Sequence, residues 1–191
     1  MISIERFANI WIFALIISIS LLSCRQDRNA DIVKNYLDTY AKVSYEKLSL
    51  HLADSIRIID GEYSKSYSHA EFHDYYQWDS VFSPQFHIEK ISSKENNVFI
   101  TLSTKSDRFK FLVNNPVRTT QCISLIDNKI YQFKYLQNHD TDREKWIENR
   151  DSLVNWIDNN HPELSGFIYD MTKLGSENYL KAIGLYNNRQ E

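Results

Sequence analysis

The clearest chemical motif in this chain is Leu21-Leu22-Ser23-Cys24, which closes an apolar run from Ile10 to Leu22. A thiol directly after a small residue and two aliphatic ones is the arrangement that bacterial signal processing converts to a diacylglyceryl thioether, leaving the cysteine as the new first residue. Arg6 supplies positive charge ahead of the run, against Glu5, and Arg25, Asp27 and Arg28 end it abruptly. The run is shorter than the roughly 20 apolar residues a membrane-spanning helix needs. The sequence therefore predicts a lipoprotein signal over 1–23, lipidation at Cys24 and a polar tether over 24–29. The alternative is an uncleaved anchor helix with an incidental cysteine. One buried acyl chain anchors a protein only marginally, at about 0.8 kcal/mol per CH₂, whereas two or three hold it on the membrane. The expected address is the bacterial cell envelope. Arg25, rather than an aspartate, follows the cysteine and favours the outer membrane over the inner.

No other motif has comparable specificity. With Cys24 lipidated, Cys122 has no disulfide partner and reads as a packing residue. His51, His69, His73, His87, His139 and His161 are scattered without the spacing of a metal site, and there is no Gly-rich phosphate loop and no GxSxG elbow. No metal and no cofactor is expected. A net charge of −3 gives no footprint for nucleic acid. The chain is 14% aromatic, which implies either a bulky core or an aromatic-lined cavity.

The part after the signal is long enough for one domain with its own core. A first helix is predicted over Ala30–Val43, where Ile32, Val33, Tyr36, Leu37 and Tyr40 make one apolar stripe. Ser44 can cap a second, short helix carrying Leu48 and Leu52. Ser55–Asp60 reads as a strand ended by Gly61. Ser68 and Glu71 form a capping box, and the helix it opens presents Phe72, Tyr75, Tyr76, Asp79 and Phe82 on one side before Pro84. Beyond Pro84 the period becomes alternating. Phe86–Ile91 and Val98–Thr104 make one hairpin, while Thr119–Ile126 and Lys129–Leu136 make another around Asp127-Asn128. Tyr131, Phe133 and Tyr135 are expected to share a face of the last strand. Between the hairpins, Ser106–Arg118 suggests one helical turn. A second capping box, Thr141 to Glu144, opens a helix with Trp146, Arg150, Leu153, Val154 and Ile157 on one face and Trp156 on the other. Asn160-His161-Pro162 ends it, and two shorter helical pieces follow, divided by Gly175.

This order of elements resembles the nuclear transport factor 2-like (SnoaL-like) superfamily. The likeness rests on the amphipathic first helix, on Leu48–Asp60 and on Asp127-Asn128-Lys129-Ile130 entering the last strand. It spans residues 30–138, with 139–191 a helical extension outside the family core. It implies an α+β fold: a cone of curved antiparallel sheet wrapped around the N-terminal helix, with the C-terminal extension packed on it. The superfamily includes dehydratases, isomerases, polyketide cyclases and epoxide hydrolases beside non-catalytic binding and dimerisation modules, so the fold does not settle the function.

The resemblance also implies where chemistry would sit. Its enzymes place an Asp–His, Asp–Tyr or Asp–Arg–Asp group in the cone, where proton transfer needs a carboxylate or imidazole of shifted pKa. The candidates are Asp60 with His73 or Tyr76, and Asp79 on the same helix. Against a dyad, Asp60-Gly61 is also an ordinary turn, and His73 lies one position off the apolar stripe. A ligand pocket would draw on Tyr36, Tyr40, Tyr76, Arg118, Gln121, Tyr131, Phe133 and Tyr135, residues that equally make an ordinary core. Such a pocket should reach about a few hundred Å³. The reading favours a non-catalytic binding module, for a small apolar or aromatic ligand or for an envelope protein partner. An enzyme of the dehydratase, isomerase or cyclase kind and a homodimerisation module are the alternatives.

Overall fold

The structure is a computed structural model and describes residues 28–42 and 44–189. The signal segment and Leu21–Cys24 lie outside the described residues. Among those described, no helix is long and apolar enough to cross a membrane.

Helix α1, helical over residues 28–41, buries Val33, Tyr36, Leu37 and Tyr40, the i, i+3, i+4, i+7 stripe of its sequence. Asn29 ties its start to the sheet by donating to the Glu95 carbonyl at 2.9 Å. The short α2 (Tyr45–Ser49) leads into β1 (Leu52–Asp60), and Gly61, at φ +57°, turns the chain into β2 (Tyr63–Ser68). β2 has no counterpart in the sequence reading. Its residues are polar and exposed apart from Tyr67, so no alternation announces it. The capping box opens α3 (His69–Ser80) as expected: Ser68 accepts from the Glu71 amide, and Glu71 accepts from the Ser68 amide.

The hairpin β3 (Gln85–Lys94) and β4 (Asn97–Lys105) is joined by α4 (Asp107–Val113) to the hairpin β5 (Val117–Ile126) and β6 (Lys129–His139). Asp127 and Asn128 both have positive φ, the geometry a two-residue hairpin turn needs. The six strands run β2-β1-β6-β5-β4-β3, antiparallel except for the parallel β1–β6 pair. Register shifts at Glu89 on β3 and at Tyr131 and Leu136 on β6 bend the sheet around α1. The shift at Tyr131 also resets the alternation. Ile130 and Phe133, three apart, both point into the core, while Tyr131 is exposed rather than sharing their face.

The C-terminal extension is a second, smaller core. α5 (Arg143–Asn160), two single turns of 3₁₀ helix (Pro162–Leu164 and Phe167–Tyr169) and α6 (Lys173–Asn187) gather Leu153, Ile157, Leu164, Phe167, Tyr179, Ala182 and Ile183 around Trp78 and Phe82 of the α3 region. α3 is therefore a shared wall: Phe72 and Tyr76 face the cone, Trp78 and Phe82 the extension. Phe82 does not join the cone stripe. Two sequence details shift. Asp142, not Thr141, caps α5 by accepting from the Lys145 amide. Gly175 sits in the first turn of α6 rather than breaking it, where its amide donates to the Thr172 cap and a Cβ would strike the Asp170 carbonyl. Trp146 packs on Phe109 of α4 and Trp156 on Tyr186 of α6, so the two indoles do face different ways.

Candidate functional site

Inside the cone lies a cavity of about 80 Å³, lined by Tyr36, Leu37, Tyr40, Ile58, Phe72, Tyr75, Asp79, Phe86, Leu102, Gln121, Ile123, Phe133 and Tyr135. Its walls follow from periodicity. α1 contributes positions one helical turn apart, α3 contributes Phe72, Tyr75 and Asp79 at the same spacing, and the strands contribute alternate residues. The cone is largely filled by its own aromatic rings: Tyr36 stands 5.3 Å from Phe133, and Tyr40 stands 4.9 Å from Tyr76 and 5.5 Å from Phe86, centroid to centroid. The space left is smaller than the few hundred Å³ expected of a pocket for a drug-sized ligand.

Asp79 is the one acid on this lining. Tyr40 donates its phenol proton to Asp79 Oδ2 at 2.9 Å. Burial pushes the Asp79 carboxyl above the ordinary aspartate range, against the Arg108 charge and the Tyr40 hydrogen bond, which both favour the carboxylate. The surrounding phenols respond to the same environment. Burial raises Tyr36, Tyr40 and Tyr75 well above the usual tyrosine value, with the Asp79 charge adding to each. Tyr135 is pushed up to about 12, first by burial and then by the charges of Asp79 and Asp60. A carboxyl whose pKa is raised by burial, set among unionised phenols, can accept or donate a proton and can anchor a polar group.

The sequence candidates divide. Tyr36, Tyr40, Gln121, Phe133 and Tyr135 line the cavity. Gln121 is buried and its amide donates to Thr119 Oγ1 at 3.0 Å. Arg118 does not line the cavity; its guanidinium pairs with Glu89 at 2.6 Å. Tyr131 is exposed at its bulge. Asp60 is exposed at the end of β1, and His73 is half-buried, its ring stacked on Tyr45 at 4.2 Å. Neither Asp60 nor His73 is among the cavity-lining residues, and no hydrogen bond joins them. Tyr76 packs behind Tyr40 with its hydroxyl buried and unpartnered. Asp79 was visible in the sequence as an acid in register with Phe72 and Tyr75. Tyr75 and Phe86 on the lining, and Arg108 beside it, had no signal setting them apart from core or surface. Among the described residues no group of side chains is arranged to hold a metal ion.

Comparison with solved structures supports the fold. A protein from Kribbella flavida DSM 17836 assigned as a ketosteroid isomerase aligns with a TM-score of 0.50 at 10% identity, covering 60% of this chain and 82% of that one. The epoxide hydrolase/cyclase-like enzyme SalBIII, with a role in pyran ring formation in the polyether salinomycin, aligns with a TM-score of 0.50 at 13% identity, over 58% and 90% of the two chains. A protein from Jannaschia sp. CCS1 assigned as a SnoaL-like polyketide cyclase aligns at 0.49 and 13% identity, over 58% and 85%. No family model and no curated protein matches the sequence. The fold is an α+β cone of curved six-stranded sheet, shared with the two proteins that align at 0.50, with a helical C-terminal extension. At these identities the likeness speaks for the fold alone.

Proposed function

We propose that this chain is a lipid-anchored protein of a bacterial cell envelope whose cone binds a small, largely apolar molecule through a polar contact at Asp79. The observation that carries the binding reading is the Tyr40–Asp79 hydrogen bond at the wall of a largely apolar, aromatic cavity. Pockets of this kind combine apolar walls with a few convergent polar groups. An empty apolar cavity of about 150 Å³ accepts benzene. The space here is smaller, so it suits a ligand of few heavy atoms or one end of a longer molecule. The anchor reading rests on Leu21-Leu22-Ser23-Cys24.

Native mass spectrometry of the full chain purified from its own host tests the binding reading. A discrete adduct is expected on the wild type and should be absent from Leu102→Trp, which fills the cavity. A wild type without adduct, or an adduct that survives the filling, contradicts it. Labelling with a radioactive fatty acid tests the anchor: label should enter the wild type and not Cys24→Ala.

The raised Asp79 carboxyl favours one second reading, a proton-transfer enzyme of the isomerase or dehydratase kind with Asp79 as acid–base and Tyr40 as its positioning partner. Its distinguishing result is an adduct whose mass or double-bond position differs between wild type and Asp79→Asn, because only the variant would retain unconverted substrate.

A further inference from the structure

Arg108, in the first turn of α4, lies off the cavity lining itself but at the end of the sheet where Ile58, Phe86, Leu102 and Tyr135 line the cavity. The strand register sets that position. The start of β3 lies beside the end of β4, the end of β4 beside the start of β5, and the ends of β1 and β6 close the same rim. α4 crosses this rim between β4 and β5, and the Asp107 amide, donating to the Phe82 carbonyl at 2.9 Å, fastens it to the end of α3.

The guanidinium is held by ring contacts instead of acceptors. Its central carbon lies 4.7 Å from the Trp78 ring, 5.1 Å from Phe109 and 5.3 Å from Phe82. Its Nε is buried without a hydrogen-bond partner, and no N–H of this side chain meets a carboxylate or carbonyl among the described residues. Cation–π contacts fix the plane of the group while leaving the hydrogen-bonding capacity of its edge unused. A half-buried guanidinium without an acceptor is a costly arrangement that an incoming anion would relieve. Its charge reaches into the cavity wall, acting on Asp79, Tyr75 and Tyr135.

We propose that Arg108 recognises a carboxylate: the ligand is a small monocarboxylic acid whose apolar body enters the cone cavity while its carboxylate takes the free edge of the guanidinium. This deepens the binding reading above and rests on it. A planar carboxylate matches the guanidinium fork bidentately. A single negative charge is tolerated beside Asp79, whereas the doubly charged head of a phosphate monoester would meet stronger repulsion.

The test titrates the full, ¹⁵N-labelled chain with butyrate, with butyramide as the neutral analogue of the same shape, and with inorganic phosphate. The reporters are the indole N–H of Trp78, under the guanidinium, and the backbone of Phe133, in the cavity. Butyrate should shift both and saturate at millimolar concentration. Arg108→Gln should weaken butyrate binding about tenfold or more, the expected loss for a charge-assisted pair, and Arg108→Lys should restore part of it. Butyramide should bind weakly and equally to wild type and Arg108→Gln. If butyramide binds as tightly as butyrate, or Arg108→Gln keeps butyrate affinity while still folded, Arg108 has no recognition role although the cone reading stands. Phosphate shifting Trp78 while butyrate does not overturns the carboxylate assignment. If no probe moves Phe133 at all, the cone reading fails together with this one.

Discussion

The indole N–H of Trp78 donates to the main-chain carbonyl of Asp170 at 3.2 Å, joining α3 to a residue 92 positions later in the chain. This is a direct polar tie between the cone and its C-terminal extension, beside the one that Asn149 of α5 makes to the Leu112 carbonyl of α4 at 2.8 Å, and it lies under the Arg108 guanidinium. Trp78→Phe keeps an aromatic ring in place but leaves the Asp170 carbonyl without that donor. A loss of about 1 kcal/mol is expected, read in urea unfolding from the remaining tryptophans. Because both cores share α3, the transition should stay single with an unchanged m-value. Two separated transitions would show that the extension unfolds on its own.

The Asp79 carboxyl sets a pH dependence. Burial raises its pKa in the folded state, so between the ordinary aspartate value and the raised one the folded protein binds more protons than the unfolded chain. Stability then falls as pH climbs through that window, and the loss is complete above it. The groups around it are Tyr36, Tyr40, Tyr75 and Tyr135, all unionised there, and Arg108. Asp79→Asn should remove the slope and be more stable than the wild type, relative to acid pH, on the alkaline side. Tyr40→Phe deletes a hydrogen bond that favours the carboxylate, so the Asp79 carboxyl should titrate at still higher pH in ¹³C NMR. Titration at or below the ordinary aspartate value in both proteins would contradict the assigned burial.

Two glycines of α6 should respond in opposite directions. At Gly175 a Cβ would run into the Asp170 carbonyl and side chain, so Gly175→Ala must displace the segment that holds Trp78. Overpacking of this kind costs about 1–3 kcal/mol. Gly184 is exposed in the same helix with open space around it, and Gly184→Ala should stabilise by up to about 1 kcal/mol. Thermal unfolding of the two variants side by side checks both signs.

Removal of the capping hydroxyl at Ser68 should cost about 1 kcal/mol, since it frees the Glu71 amide at the head of the helix that carries Asp79. Hydrogen exchange of the α3 amides would locate the effect: faster exchange in the first turn in Ser68→Ala, with the α5 amides unchanged.

How far the sequence revealed this molecule depends on how local each signal is. The α1 stripe, the Ser68 capping box and the Asp127-Asn128 turn are set by neighbours within a few residues, and the structure has them as read. β2 escaped because its edge position leaves its side chains in water, which removes the alternation that marks a strand. Tyr131 was misplaced because a bulge, invisible in composition, shifts the phase of β6. The sequence sets Phe82 on one side with Phe72 and Tyr76, because α3 is apolar on two sides and nothing local says that a second core waits on the far one. At the site, Tyr36, Tyr40 and Asp79 were legible from helical spacing, and Phe133 and Tyr135 from strand alternation. Arg108 was not, for its significance lies in rings from α3 that sit well before it in sequence.

The parallel pairing of β1 with β6 has a consequence for how this protein comes into being. The β1–β2 hairpin has no neighbour in the sheet other than β6, so residues 52–68 wait for residues 129–139 before they gain a lateral partner. An emerging chain cannot close the barrel-like wall from its beginning; everything up to the last strand must leave the ribosome or translocation channel first. Such non-local closure slows folding, since the entropy of the long intervening loop is spent before the contacts form. Mutations that weaken the β1–β6 seam should therefore destabilise the finished molecule, and should also slow folding to the extent that the seam is already paired in the transition state.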